Sequence, residues 1–299
     1  MKFKIHKPEP KQLAIRIIIA LACLIVLMII VYGVGIYKYH WNRYGTKKVI
    51  KVVPYPAAFV GPTWISISDF WFQKEFILHF YEKTGTPLEN EVELDKQIVD
   101  RLIEEGLVDK YLRENKMIVT SDEIDKEYQN IITQNQGEEN TKNMFSELYG
   151  ISLPDFKKLI KQKQKISKFQ NEVLVSGHLN IIIVKDEKRA LDVLNELKTG
   201  ADFTETAKKY SEDEISRDAG GDVGFINRGG VIFDAPMNKE LEQGIFSLNV
   251  NEYPAAPFKT ETGFLIFKVT EKKGTVDKSY TDWLAEVKNH TKIIRLIGK

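Results

Sequence analysis

This 299-residue sequence has very little cysteine and almost no net charge. It contains one cysteine, Cys23, and its 43 lysine and arginine residues are balanced by 42 aspartate and glutamate residues. A single cysteine excludes a disulfide within the chain. Balanced charge creates no global field that would attract nucleic acid, so we predict no nucleic-acid partner.

A glycine-rich stretch at residues 219–225 lacks the features of the ligand sites that it superficially suggests. No Gly-Lys-Ser/Thr follows it, and no helix begins at its glycines as a dinucleotide site requires. Its acidic neighbours Asp213, Asp218 and Asp222 do not match the calcium-loop spacing and lack the terminal glutamate. We therefore predict no nucleotide, no metal and no cofactor.

One long uncharged stretch stands out from the mixed remainder of the chain. Residues 17–37 carry no charge and consist mainly of Ile, Leu, Val and Ala. At about 1.5 Å of rise per residue, a helix of this length spans a hydrocarbon core of roughly 30 Å. We predict a single transmembrane helix in contact with lipid, preceded by a short basic cytoplasmic tail at residues 1–16 and followed by an extracytoplasmic C-terminal bulk.

Two other interpretations of this stretch fit the sequence less well. The run exceeds the roughly 7 to 15 apolar residues of a signal-peptide core, and no small-x-small cleavage motif follows it. A lipoprotein would be processed at Cys23, but 14 uncharged residues follow that cysteine. Basic residues on the two sides of the run balance, so charge alone does not orient the helix.

Residues 38–273 divide into three parts. We assign residues 38–56 to a stalk: from residue 42 they are basic and contain Gly45, Pro54 and Pro56, which indicates a short stalk that turns into an extended segment. Residues 57–176 start with a small hairpin and continue as helices. We predict that Ser68 caps the first helix, and the clearest helix covers residues 92–115. Residues 177–273 alternate strands and helices around the glycine-rich loop, so we predict an α+β fold.

Five motifs follow one another in residues 177–273. They lie at residues 181–188, 203–213, 220–225, 246–248 and 262–264. In this order and spacing they resemble a parvulin-type, PpiC-like peptidyl-prolyl isomerase domain. The helical region, with residues 97–105, resembles the SurA-like chaperone domain of bacterial extracytoplasmic foldases.

The resemblance implies both the fold and the place of the C-terminal segment. The parvulin-like domain would be a small antiparallel sheet flanked by helices. Residues 274–299 would pack back on the helical domain, and we pair their last strand with the hairpin near Val60.

The resemblance also implies a site, which would be an apolar proline slot with a polar rim. Asp213 stands where the family places a catalytic acid or thiol. The other matching residues are Val223, Met237 and Leu241 for the slot, and Asn238, Thr260 and Thr262 for the rim.

Typical parvulins have two facing histidines in the sheet, and this sequence has lost both. Ile181 occupies the first position and Leu265 the second. His178 lies three residues before Ile181, and an odd offset in a regular strand places a side chain on the opposite face. Only a bulge or a slipped register would restore it; otherwise it is a solvated histidine at a domain junction.

Three hypotheses about function remain open. The first is a membrane-anchored peptidyl-prolyl isomerase and foldase acting on unfolded or proline-containing exported polypeptides. The second is a non-catalytic, membrane-tethered chaperone or peptide clamp, which the apolar Ile181 and Leu265 favour because they cannot form the hydrogen bonds of two imidazoles. The third is a purely structural tether.

Overall fold

The structure, a computed structural model, describes residues 10–39, 41, 44–232 and 235–298. Residues 1–9 of the predicted cytoplasmic tail lie outside this range. The chain divides into two compact units. The first comprises residues 1–106, 131–156 and 291–299, and the second comprises residues 107–130 and 157–290.

The first unit begins with one long helix, α1 (Pro10–Tyr39). Its segment Ala14–Tyr39 is long and apolar enough to cross a membrane, and it contains the predicted span of residues 17–37. Side chains from residue 14 to residue 31 are exposed, whereas Ile36 is only 3% exposed. The helix therefore presents an apolar surface along most of its length and packs against the rest of the unit only near its C-terminal end.

The predicted stalk contains a helix that the sequence analysis did not predict, α2 (Tyr44–Val52), and an extended segment follows this helix. Thr46 and Ile50 are one helical turn apart, and both are buried. The hydroxyl of Tyr37 donates to the carbonyl oxygen of Pro56 at 2.7 Å. The hydroxyl of Tyr55 donates to the carbonyl oxygen of Ile29, also at 2.7 Å. These contacts join α1 directly to the start of the first strand.

A three-stranded antiparallel sheet has the order β2 (Thr63–Ser66), β1 (Pro56–Val60) and β9 (Ile293–Arg295). Val60 pairs with Thr63 on one side and with Ile293 on the other. The predicted pairing of the last strand with the hairpin near Val60 is thus confirmed.

Five helices and a π-helical turn, Phe169–Val173, form the helical part of the chain. The helices are α3 (Ile67–Thr84), α4 (Glu91–Glu114), α5 (Ser121–Gln134), α6 (Glu138–Tyr149) and α7 (Leu153–Lys168). Ser66 caps α3 by accepting from the backbone N–H of Ser68 at 3.0 Å, so the predicted cap at Ser68 is wrong by two residues. The extended backbone of Ser66 is what a cap residue requires.

The second unit contains a four-stranded antiparallel sheet, which confirms the predicted α+β fold. Its order is β4 (Asp222–Asn227), β3 (Ser176–Val184), β8 (Phe264–Lys273) and β7 (Phe258–Lys259). A small pair, β5 (Val231–Ile232) and β6 (Ala235–Pro236), follows β4. Five helices lie in the same stretch of the chain as this sheet: α8 (Glu187–Lys198), α9 (Phe203–Tyr210), α10 (Glu214–Asp218), α11 (Lys239–Ser247) and α12 (Tyr280–His290).

Apolar side chains cover the two faces of the four-stranded sheet in two separate clusters. The helix-face cluster comprises Ile182, Val184, Ala190, Val193, Leu194, Leu197, Phe203, Ala207 and Ile266. The site-face cluster comprises Leu179, Ile181, Ile183, Ile226, Ile232, Met237, Leu241, Ile245, Phe246, Leu265, Phe267 and Val269, with Val175, Val223, Leu248 and Phe258 packed against it. Alternation along β3 separates the two sets, as expected for a regular strand.

Candidate functional site

The slot residues named from the sequence meet in the site-face cluster. Met237 and Leu241 are 9% and 5% exposed, and Val223 is partly buried against them. Their neighbours Phe246 and Phe258 belong to the same cluster, although the sequence did not mark them as slot residues. The three predicted slot residues therefore belong to one apolar cluster, together with two aromatic residues that the sequence analysis did not name as slot residues.

Val223 owes its position to a bulge in β4. In the ladder with β3, Leu179 pairs with Gly224 and Asn180 pairs with Asp222, so Val223 is the extra residue. A bulge of this kind bends the strand and redirects the side chain that it carries. Just before it, Gly221 has a φ of +90°, and a Cβ there would lie 2.7 Å from the carbonyl oxygen of Ile181. Only glycine allows β4 to approach β3 this closely.

Three of the named residues lie at or just before the N-terminal end of helix α11: Met237, Asn238 and Leu241. Asn238 caps the helix, and its Oδ1 accepts from the backbone N–H of Leu241 at 2.8 Å. This cap fixes the start of the helix between Met237 and Leu241, so both apolar side chains enter the cluster. A Cβ on Gly244 would lie 2.8 Å from the Phe258 ring, so glycine lets α11 lie close to β7.

The other two rim residues, Thr260 and Thr262, lie in the turn between β7 and β8. Their hydroxyl oxygens are 3.2 Å apart. The Thr260 hydroxyl also donates to the carbonyl oxygen of Gly263 at 2.9 Å. Thr262 is exposed and Thr260 is partly buried. The turn thus presents two hydroxyl groups next to β7, the strand that carries Phe258.

Asp213 has a local structural role in the described contacts. It caps the short helix α10: its carboxylate accepts from the backbone N–H of Ser216 at 2.9 Å and from the hydroxyl of the same residue. The adjoining backbone is tied to β3, because the N–H of Glu212 donates to the carbonyl oxygen of Ile183 at 2.8 Å. Whether Asp213 also contacts a ligand remains a prediction.

Ile181 and Leu265, the residues predicted for the two histidine positions, are both fully buried in the site-face cluster. Leu265 pairs with Ile183 in the ladder between β3 and β8, and Ile181 lies two residues before Ile183 on the same face of β3. Ile181 and Leu265 are therefore diagonal neighbours on one face of the sheet. Neither side chain can donate or accept a hydrogen bond. The described site is therefore apolar where the resemblance implies an imidazole pair.

His178 lies on the opposite face of the sheet, as its odd offset predicts. Bulges do occur nearby, but the extra residues are Val223 on β4 and Thr270 on β8, so β3 itself keeps its alternation. The ring is not simply solvated, which corrects the interpretation drawn from the sequence. Its Nδ1 lies 3.0 Å from the Thr270 hydroxyl oxygen, and its Nε2 lies 3.3 Å from a carboxylate oxygen of Asp222.

An ion-pair network borders the site-face cluster at Phe246. The guanidinium of Arg228 stacks on the Phe246 ring at 4.5 Å and donates to both carboxylate oxygens of Asp277, at 2.5 and 3.2 Å. It also lies 3.5 Å from Glu242 on α11. The guanidinium holds the pKa of Asp277 below its usual value. Sequence spacing gave no signal for this network, because its members are up to 49 residues apart.

The site has the chemistry of a binding surface for an apolar group. Within the described ranges, no three His, Cys, Asp or Glu side chains are grouped so that they could hold a metal ion. What the geometry provides is a partly exposed apolar surface, a capped helix end and two hydroxyl groups.

Two family models match the chain. Residues 10–170 match the model of the SurA-like N-terminal domain, and residues 158–273 match that of the PPIC-type PPIase domain. Fold and site thus define a class of protein in which a helical domain precedes a parvulin-like sheet domain. Since the first model alone covers more than half of the sequence, the chain belongs to the SurA-like family, and it carries a PPIC-type PPIase domain.

The similar curated proteins are foldases. The chain is 29% identical over 203 residues to the foldase protein PrsA of Geobacillus kaustophilus, covering 64% of this chain and 69% of the relative. It is 32% identical over 193 residues to the foldase protein PrsA 2 of Bacillus cereus, covering 60% of this chain and 64% of the relative. The chain therefore spans about two thirds of the length of these relatives.

A solved structure of the same kind is also similar. The crystal structure of the peptidylprolyl isomerase PrsA from Bacillus anthracis is 25% identical, with 64% of this chain and 86% of that chain covered and a TM-score of 0.32.

Proposed function

We propose that this protein is a membrane-anchored extracytoplasmic foldase that binds unfolded exported polypeptides and holds their proline-containing segments on the site-face cluster. The observation that carries the proposal is the convergence of Val223, Met237 and Leu241 on one apolar sheet face, beside the polar cap of α11. The foldase names of the relatives are consistent with it.

Isomerisation of an X-Pro bond is the reaction that such a site can accelerate. The barrier of about 18 to 20 kcal/mol reflects lost amide resonance, and no nucleophile, metal or cofactor is needed to cross it. An apolar surface that seats the proline ring and excludes water favours the twisted amide, which has less charge separation than the planar one. Asp213, Asn238, Thr260 and Thr262 are the polar groups that we assign to the peptide backbone.

A second candidate function is peptide binding without catalysis. Ile181 and Leu265 are apolar and fully buried, so the hydrogen bonds that an imidazole pair would give to the site are missing from this face. The same apolar surface would then act as a clamp for unfolded chains.

The proposed localisation rests on α1. Its exposed apolar surface from residue 14 to residue 31 suits contact with lipid, and we assign residues 17–37 to the membrane with the C-terminal bulk outside. The boundaries 57–176 for the chaperone domain, 177–273 for the parvulin-like domain and 274–299 for the C-terminal segment are part of the same proposal.

A refolding assay limited by proline isomerisation tests the enzyme, with the full chain in detergent micelles. We expect the wild type to accelerate refolding and Leu241→Ala to reduce the acceleration about tenfold or more, because losing the contacts of three buried carbons weakens binding by about 2 kcal/mol. The matched control is Leu194→Ala in the helix-face cluster, where the leucine is 1% exposed.

The outcomes separate the candidates. If both variants lose acceleration equally, the effect is one of stability and the site assignment is wrong. If the wild type suppresses aggregation of the client without accelerating its refolding, the clamp is correct and the isomerase is not.

A further inference from the structure

A bulge in β8 determines which face of the sheet Lys272 occupies. In the ladder with β3, Val269 pairs with Leu179 and Lys272 pairs with Gly177, while Thr270 is the extra residue of the bulge. Leu179 and Gly177 are two residues apart on a regular strand, so they point to the same face, the one that carries the site-face cluster. Unbroken alternation along β8 would place Lys272 on the opposite face. The bulge therefore brings this lysine to the side of the sheet on which the candidate site lies.

On this side, the ammonium group of Lys272 reaches the C-terminal end of helix α11. Its Nζ donates to the carbonyl oxygen of Phe246 in the last turn at 2.8 Å, and to the carbonyl oxygen of the C-cap residue Leu248 at 2.5 Å. The last four carbonyl groups of a helix have no partner within the helix, and a positive charge beside them is favourable. The last turn of α11 has no basic residue in its own sequence. Lys272 on β8 supplies the cation instead.

A second cation holds the same helix from the side. The Arg228 guanidinium stacks on the Phe246 ring at 4.5 Å and lies 3.5 Å from the carboxylate of Glu242. The other carboxylate oxygen of Glu242 accepts from the backbone N–H of Gly229 at 2.6 Å. Phe246 is thus held through its carbonyl group by Lys272 and through its ring by Arg228. Its side chain is buried in the site-face cluster, so both contacts act on a residue that lines the site.

We propose that Lys272 is a positioning residue of the candidate site, an inference that rests on the proposed function. Its ammonium group holds the C-terminal end of α11, and the helix keeps Met237 and Leu241 in the slot at its other end. Helix α11 has nine residues, so it is about 14 Å long and moves as a short rigid body. Releasing one end shifts the apolar side chains at the other end and loosens the surface that binds the proline ring.

Lys268 on the same strand offers a matched comparison. It pairs with Asn180, on the face that carries the helix-face cluster, and its Nζ lies 5.8 Å from the centroid of the Tyr253 ring. Both lysines are partly buried. Replacing either one by methionine removes a charge and keeps most of the apolar stem, but only the change at Lys272 removes the hydrogen bonds to the end of α11.

The test follows the slot side chains as well as peptide binding, in the full chain in detergent micelles with methionine and leucine methyl groups labelled. We expect Lys272→Met to shift the methyl resonances of Met237 and Leu241. The affinity for a labelled proline-containing peptide, measured by fluorescence titration, should fall about tenfold, because binding must then supply the free energy of a hydrogen bond to a charged group in order to fix α11. Lys272→Arg should restore both, since a guanidinium can donate to the same carbonyl oxygens.

The control is Lys268→Met, which should leave the Met237 and Leu241 resonances and the peptide affinity as in the wild type. If Lys272→Met does not fold, Lys272→Gln, whose amide keeps a donor group, is compared in its place with Lys268→Gln.

Two results overturn the inference: resonances and affinity that are unchanged when Lys272 is replaced, or equal changes when Lys268 is replaced. If the resonances shift and Lys272→Arg restores them, but the wild type binds no peptide, the positioning role stands and the proposed function fails.

Discussion

The two faces of the four-stranded sheet are built from alternate residues of the same strands, and they differ in what covers them. Ile182 and Ile266 lie under helices α8 and α9, and the partly buried residues at the edge of that cluster include two tyrosines, Tyr210 and Tyr253. On the other face the edge residues are Val175, Val223, Leu248 and Phe258, all apolar. Nearly identical strand chemistry thus supports two buried clusters that differ in their edge residues, which are all apolar on the face where we propose that a peptide binds.

The largest effect should come from restoring an imidazole pair on the site face. Ile181→His with Leu265→His places two polar rings in a fully buried apolar cluster and should lower the free energy of unfolding by about 2–6 kcal/mol. It should nevertheless raise the refolding acceleration per folded molecule, if hydrogen bonding is what the site lacks. Urea unfolding and the proline-limited assay measure the two effects.

The helix face offers a matched control for this double variant. Ile182 and Ile266 pair directly across the ladder, and both are fully buried, as Ile181 and Leu265 are, so Ile182→His with Ile266→His carries a similar cost in stability. It should bring no gain in acceleration. An equal gain in both variants, or none in the first with its fold intact, would contradict the assignment of the histidine positions.

An intermediate effect should come from removing one helix cap on each face. Asn238 caps α11 and Asp186 caps α8, and each accepts a backbone N–H bond at 2.8 Å. Replacing either residue by alanine should lower the free energy of unfolding by about 1 kcal/mol. Only Asn238→Ala should also weaken peptide binding, measured by fluorescence titration with a labelled proline-containing peptide. Equal affinity in both variants would remove Asn238 from the rim.

The smallest effect should come from the ion pair beside Phe246. Because Arg228 lowers the pKa of Asp277, this carboxylate stabilises the fold above its unfolded pKa of about 3.8 and loses that contribution as the pH falls through its lower folded value. Its side chain is 61% exposed, so Asp277→Asn should cost less than about 1 kcal/mol at pH 7.

Urea unfolding at several pH values tests this prediction. The difference between wild type and Asp277→Asn should shrink below about pH 4, where the carboxyl becomes protonated. Asp192→Asn on the exposed surface of α8 is the control, and it should show no such trend. A difference that persists at low pH would mean that the residue acts through packing.

Period and motif order explain why most of the second unit could be predicted. Alternation in β3 is regular, so a period of two places Leu179, Ile181 and Ile183 on one face and His178 on the other. The slot residues Val223, Met237 and Leu241 do meet in the site-face cluster.

The remaining features depend on contacts between distant residues. A bulge adds one residue to a strand, and the alternation of apolar and polar residues does not show where it occurs. The position of Val223 and the contact between His178 and Asp222 therefore could not be predicted from that alternation. Arg228 and Asp277 are 49 residues apart, which no spacing rule relates. Helix α2 was missed because Gly45, Pro54 and Pro56 outweighed a nine-residue amphipathic pattern.

The two tyrosine hydroxyl bonds that tie α1 to the start of β1 limit how far the protein can reach. With Tyr37 bonded to Pro56 and Tyr55 to Ile29, the anchor and the first strand share fixed points on both sides of α2. A flexible linker would let a folded domain move through a volume that grows with the length of the linker. A connection that is fixed by hydrogen bonds holds the folded part at a constant distance from the anchor. In the proposed membrane-anchored protein the first unit should therefore meet only polypeptides that pass close to the bilayer surface.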